Sequence, residues 1–441
     1  MKTQSIRVII AAGLVVSFLA ACSKKGGGDD TGTPPPPVTV QDTALTNATH
    51  LKDLNVQVTF ENGQTGTGVY IYADAPSYAP VYAPGEGFAC VDDVARAILY
   101  YVRSQAFATD TSIQQKAFGM TRFVLNMQSP GGYFYNFIQT GNLINKYGAT
   151  SVNAPKWWSW RALQALTEAA PVIKTKDAAL AGQMETATDK LVTAIKTDLV
   201  NAPLTTAQTD GFDIPQWLPE GADQAATLIL ALIPYSREKG DAVIKSYIRK
   251  LADGIVLMQA GGPSQFPYGA FLSAGTAWHA YGNEQASALF AAAAFLGDAS
   301  YSAKAKIEVD NFYPWMLSNG YQSSFRVKKI SNAPVGYDQS AYEQIAYGIR
   351  PMVFAAIDAY ALTNDEQYAT MAGRIAAWFL GNNGASAQMY FTSTGICYDA
   401  ISTGNVVNRN SGAESTIEAL LTMQRISNYP SVKAALNKYK K

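Results

Sequence analysis

What most narrows the fold of this chain is an alternation: twelve segments with apolar residues at helical spacing are joined by short and long connections in strict turn. The segments run over residues 90–104 and 112–127, 157–169 and 177–199, 222–235 and 241–258, 283–296 and 300–317, 341–362 and 365–380, and 412–426 and 431–439. In the first of them Val94, Ala97, Ile98 and Tyr101 mark one face. Within a pair the link is as brief as LTND or LGDAS; between pairs it is several times longer, five times over. Short links join antiparallel neighbours, whereas long ones are uncommon unless they carry function. The alternation therefore sends every long connection out on one side and predicts an all-α chain of six helical hairpins, closing as an inner and an outer ring. An open solenoid would need a repeated motif, and the chain has none. SAYE (340–343), TNDE (363–366) and SGAE (411–414) read as capping boxes at three helix starts. Ahead of the first hairpin, VQVTFENGQTGTGVYIYAD alternates well enough for two strands about a turn, a short β-like arm packed on the ring.

The first 45 residues belong to no hairpin. Lys2 and Arg7 precede an apolar run from Val8 to Ala21, too short and wrongly flanked for a membrane span. Residues 1–21 are thus expected to be a cleaved signal peptide. The run ends LAAC at Cys22, which resembles a lipobox and marks that cysteine for lipidation. Ser23 follows, so nothing points to retention at the inner membrane. Residues 22–45 form a Gly- and Pro-rich tether like those of Bacteroidetes lipoproteins, leaving 46–441 as the ring domain with its arm. The expected location is the outer membrane, on its periplasmic or cell-surface face, with the lipid as the only membrane contact. Cys90 and Cys397 remain; export allows a disulfide between them, and two buried thiols are the alternative.

The inter-hairpin segments gather the chemistry. They hold Asp92 and Asp93, then Tyr133, Tyr135 and Asn136 with Trp158 and Arg161, then Trp217 and Glu220. Trp278 and His279 follow, then Tyr337, Asp338 and Gln339, and finally Tyr398, Arg409, Asn410 and Glu414. Of seven Trp residues, five lie in these segments or at the helix starts after them, a placement that suits stacking on sugar rings better than ordinary core packing. Glycosidic cleavage needs one carboxyl group to protonate the leaving oxygen and another to activate water or attack carbon. Asp92, Asp93, Glu220 and Asp338 are the catalytic candidates. Asp92 and Asp93 compete with a simple capping role, and Glu414 and Glu343 fit the last position of a capping box. Lys plus Arg equals Asp plus Glu at 34 each, so no excess positive charge favours nucleic acid. Two His residues and no phosphate-cradling loop leave no motif for a metal or cofactor.

Several of these segments resemble a group of (α/α)6-toroid proteins, related to six-hairpin glycosidases, found in bacterial polysaccharide loci beside glycosyltransferases and glycoside phosphorylases. A helix beginning DDNARAL in that group is DDVARAI from Asp92 here; its GxFxNF loop is GYFYNF from Gly132. FDQQPIEA corresponds to YDQSAYEQ from Tyr337, and WFLGxN to WFLGNN from Trp378. GGCxDGL and NxGAESTLAFLLAL correspond to GICYDAI from Gly395 and NRNSGAESTIEALLTM from Asn408. The order and spacing hold over roughly 85–426, with departures at Val94 and Ser340. The resemblance implies the toroid, a carbohydrate ligand, and Asp92, Asp93, Arg96, Asn136, Asp338, Gln339, Asn410 and Glu414 as site residues. A monomeric glycoside hydrolase acting on an oligo- or polysaccharide is the leading expectation. A polysaccharide lyase, using Tyr337, Tyr398 or His279 as base with Arg161 or Arg409, is the second. A non-catalytic glycan-binding lipoprotein is the third.

Overall fold

The computed structural model describes residues 44–83 and 85–441. The expected signal peptide, Cys22 and nearly all of the tether lie outside the described residues. A one-turn helix, α1 (Thr49–Asp53), leads into a hairpin of β1 (Asn55–Thr59) and β2 (Thr65–Val69), paired antiparallel with Val56 opposite Gly68. Gly63, at φ 78°, supplies the left-handed residue that turns the hairpin. The arm is fitted to the ring by missing side chains: a Cβ on Gly66 would lie 2.6 Å from the Phe123 backbone, and one on Gly119 2.3 Å from Thr67 Oγ1. A second, shorter ribbon, β3 (Tyr72–Asp74) and β4 (Ala79–Val81), follows.

Among the described residues, twelve helices then form the six hairpins. They are α2 (Val91–Val102) with α3 (Thr111–Asn126), α4 (Trp157–Lys174) with α5 (Ala178–Asp198), and α6 (Ala222–Lys239) with α7 (Ala242–Leu257). The others are α8 (Gln285–Leu296) with α9 (Ala299–Asn319), α10 (Ala346–Thr363) with α11 (Glu366–Ala376), and α12 (Ala413–Ser427) with α13 (Pro430–Tyr439). Each even-numbered helix packs on the next, and α12 packs on α2, which closes the inner ring of an (α/α)6 toroid. The odd-numbered helices from α3 to α13 stand outside. None of the described helices is long and apolar enough to cross a membrane.

The two rings start their helices differently. From α3 to α11, every outer helix begins on an Asp N-cap (Asp110, Asp177, Asp241, Asp298, Asp365) whose carboxylate accepts first-turn N–H groups. Among the inner helices only α2 is capped by its own N-cap side chain, the Cys90 thiol. The three proposed capping boxes are therefore corrected. Ser340 ends a strand, and α10 begins only at Ala346. The cap before α11 is Asp365, and Thr363 belongs to the preceding helix. Gly412 is the N-cap of α12, while the Ser411 hydroxyl accepts from Cys397 N and meets Thr416.

All the inner helices point their N-termini, and so the positive ends of their dipoles, at the face that carries the long connections. Those connections are stitched to one another by short strands. Ala89–Cys90 pairs with Phe137–Gln139, Ala277–His279 with Ser324–Ile330, and Gln344–Ile345 with Ala400–Ser402. The result is a stiff rim rather than a set of loose loops. The disulfide expectation fails here: both cysteines are free and buried. Cys90 Sγ is engaged by Asp93, and Cys397 Sγ faces the Tyr398 carbonyl at 3.6 Å, so the two thiols are directed to different partners.

Candidate active site

Inside the rim, a hollow of about 560 Å³ opens among the starts of α2, α4, α10 and α12. Its chemistry begins at α2. Asp92 N donates to Asn136 Oδ1 at 3.2 Å, which frees the Asp92 carboxyl group from capping duty. Asp92 Oδ2 and Asp93 Oδ1 each lie 2.7 Å from Arg96 Nη2, one helical turn on. The same nitrogen reaches Glu414 Oε2 at 3.4 Å, and Arg96 Nη1 meets Glu418 at 2.7 Å. Arg161 adds a second guanidinium, 3.7 Å from Asp92 and 3.2 Å from Glu284, and donates to the Tyr347 hydroxyl. Arg350 joins Glu284 to Glu418. Three guanidiniums thus meet five carboxyl groups across the middle of the ring, two more than they can neutralise.

The excess appears in the protonation of two acids. Burial pushes the Asp93 carboxyl up to about 6 despite Arg96, with Asp92 adding to the rise. Desolvation likewise lifts Glu414 to about 7, opposed by Arg96 and reinforced by Asp93 and Glu418. Glu284 moves the other way: against the cost of burial, Arg161 and Arg350 hold it down to about 2. Accessibility separates the two raised acids. Asp93 has a 4% exposed side chain and a thiol partner in Cys90. Glu414 keeps 41% of its side chain open to the hollow, and Asp92 keeps 21%. Glu414 is therefore an acid that changes protonation near neutrality where a ligand can reach it.

The structure sorts the other sequence candidates plainly. Asn136 and Trp158 line the hollow; the Trp158 indole N–H donates to Phe134 O at 2.7 Å, which fixes its ring. Arg161 lies buried beneath, within the charged layer. Glu220 stands outside the lining at the surface, 3.5 Å from Lys156. Asp338 and Gln339 are exposed on a β-hairpin, Ser324–Ile330 with Ala333–Ser340, and precede no helix start. Tyr337 of that hairpin donates to Asp210. Trp217 and Trp278 are buried in the core, one donating to Lys250 O and the other stacked on Phe325. Tyr133 packs edge-on against Trp160, and Tyr135 packs on the core. Asn410 ties the arm down through Ala75 N and Asp74, Tyr398 packs on Phe391, and Arg409 is exposed. His279 does not line the hollow; its ring nitrogens meet Asp223 and the Tyr281 carbonyl. The aromatic clustering in the long segments is real, but most of those rings form the rim's own core.

Further residues complete the lining, among them Tyr72, Tyr281 and Tyr347, which no motif marks. Tyr72 comes from the arm and Tyr347 from α10, while Trp157 and Tyr281 border the start of α8. Tyr347 lies under the guanidiniums of Arg96 and Arg161, 4.9 and 5.3 Å from its ring centre. Asp399 fixes the α12 start by accepting from Gly412 N and the Ser415 hydroxyl. Below the charged layer, at the C-terminal turns of the inner helices, lies a second hollow of about 1050 Å³.

No family model matches the chain, and no curated protein matches it by sequence. Its fold does match solved structures. A sugar epimerase from a ruminal bacterium aligns with TM-score 0.56 at 11% identity, over 86% of this chain and 95% of the other. Cellobiose 2-epimerase from Bacillus thermoamylovorans aligns at 0.54 and 11%, with the same coverage. A metagenome-derived family 9 endoglucanase aligns at 0.51 and 12%, over 83% and 71%. At such identities the likeness is one of fold.

Proposed function

We propose that this chain is a carbohydrate-acting enzyme of the glycoside hydrolase kind, working in the mouth hollow with Glu414 as proton donor and Asp92 as its partner carboxylate. One observation carries the reading: Glu414 is accessible, titrates near 7, and shares Arg96 with Asp92. An acid that holds its proton near neutral pH can deliver it to a leaving glycosidic oxygen. Two oxygens tethered to one nitrogen at 2.7 and 3.4 Å lie closer together than the ~6.5–9.5 Å an inverting pair leaves for water. The expected outcome is retention, with Asp92 attacking carbon. Asp93, buried and bonded to Cys90, sets the charge balance from behind.

The solved structures of like fold include an endoglucanase and sugar epimerases, which supports a sugar as ligand and suggests a second reading. In that reading Glu414 moves a proton on and off a sugar carbon without cleavage, favoured because Asp92, Asp93 and Glu414 all cluster on Arg96. The lyase reading loses support, since Tyr337, Tyr398, His279 and Arg409 stand outside the lining among the described residues. Incubation with a panel of oligo- and polysaccharides, followed by reducing-end assay and NMR, tests these readings. New reducing ends with retained anomeric configuration support hydrolysis, and isomerised sugar of unchanged length supports the second reading. A glycan bound but never converted would leave only the binding role. We further propose that the chain is exported and anchored through Cys22, because LAAC closes its apolar leader; mass spectrometry of the mature N-terminus would detect the lipid or its absence.

A further inference from the structure

Tyr281 is held in a way that neither core packing nor an ordinary surface position explains. Its side chain borders the mouth hollow and is 45% exposed, yet its ring lies flat on His279, with centroids 3.6 Å apart and planes within 8°. That imidazole is itself fixed at both nitrogens. Nδ1 lies 2.8 Å from the Tyr281 carbonyl oxygen, and Nε2 lies 3.2 Å from Oδ2 of the buried Asp223. Asp223 spends its other oxygen on Gln224 N in the first turn of α6. Beside them Gly282, at φ 64°, lets Trp157 close in; a Cβ there would lie 2.5 Å from the indole. A buried carboxylate and an imidazole thus combine to hold one half-exposed phenol ring still.

A parallel neighbour at 3.6 Å covers one face of a ring, so the exposed surface of Tyr281 belongs to its other face and its edge. A rigid aromatic face bordering a hollow with accessible acids suits the C–H face of a pyranose, because both are flat and apolar while the sugar's hydroxyls point outward. Rigidity matters because a ring ordered beforehand loses little freedom on binding. We infer that Tyr281 is the stacking platform of a pyranose subsite on the α8 side of the hollow, and that His279 and Asp223 are positioning residues acting through it. This rests on the reading that the hollow takes a carbohydrate.

The test is steady-state kinetics of the full-length chain on whichever glycan it converts, with thermal melts as a check of folding. Tyr281→Ala is expected to raise KM by about 5- to 10-fold with kcat nearly unchanged, and Tyr281→Phe to recover the lost affinity. His279→Leu and Asp223→Asn should raise KM by a smaller factor in the same direction, and neither should add to Tyr281→Ala when combined with it. Unchanged KM in Tyr281→Ala, or loss of kcat alone, would overturn the platform while leaving catalysis at Glu414 intact. If the wild-type chain neither binds nor converts any saccharide, the carbohydrate reading falls, and the subsite with it.

Discussion

The ring is hollow above and below its layer of arginines, and the two hollows differ in how their acids are satisfied. At the far end, of about 1050 Å³, every lining acid meets at least one cation: Glu168 meets Arg103 at 2.6 Å, Asp358 meets Arg425, Asp298 meets Arg249 at 2.9 Å, and Glu284 of the charged layer meets both Arg161 and Arg350. Hydrogen bonds from Ser300 and Arg249 hold Asp298 below its usual range. At the mouth, of about 560 Å³, Asp92, Asp93 and Glu414 share the guanidinium of Arg96, and Asp93 and Glu414 are raised toward neutrality. The larger space is walled by Leu230, Phe290, Phe354 and Leu421, and the inner helices turn their C-termini toward it. Size therefore says little about where chemistry occurs. Acids raised by burial and by like-charged neighbours beside an open space say more, because they exchange protons near working pH where a ligand can reach them.

Breaking the mouth should cost most. Glu414→Gln is expected to lower kcat/KM by roughly 10²- to 10⁴-fold, whereas Glu168→Gln in the far hollow should leave it within about twofold; parallel assays decide. Next comes the layer between. Arg350→Met leaves Glu284 and Glu418 buried with one cation fewer, and should reduce unfolding stability by about 3–5 kcal/mol in denaturant titration. A smaller effect tests whether a raised carboxyl alone marks a site. Glu308 of α9 is fully buried, accepts from Phe271 N and Tyr313, is pushed up to about 8 by desolvation, and lies outside the lining of both hollows. Its folded pKa exceeds its unfolded one, so its contribution is complete below about 4.5 and is lost as pH rises toward 8. Glu308→Gln should flatten that fall in chemical denaturation and leave kcat/KM unchanged. Smallest of all, Ala291→Leu on the wall of the far hollow should alter kcat/KM by less than about twofold.

The sequence made the helices legible because each carries several turns of apolar spacing, and twelve such patterns place one another. It hid the rim strands, several only two or three residues long, because so few residues display no alternation. The start of α10 lies later than its sequence suggests for a related reason. Ser340 and Glu343 have the letters of a cap, but the chain there runs extended and pairs Gln344–Ile345 with Ala400–Ser402. Within the site, Asp92, Asp93, Trp158 and Glu414 could be singled out because they stand at helix starts after long connections, and Asn136 because it lies within such a connection. Glu418 could not: four residues after Glu414 in an ordinary helical pattern, it looks like a solvated face and is fully buried. Tyr281 was hidden because nothing in a Tyr two residues from a His tells that their rings are parallel.

The most direct test is the pH dependence of kcat/KM for the wild-type chain and Glu414→Gln on a converted glycan. A donor that must hold its proton predicts a wild-type rate that falls as pH rises through about 7, with that limb absent from the residual activity of Glu414→Gln. A wild-type profile flat between about pH 5 and 9, or the same limb in both proteins, would contradict the assignment of Glu414 as the acid.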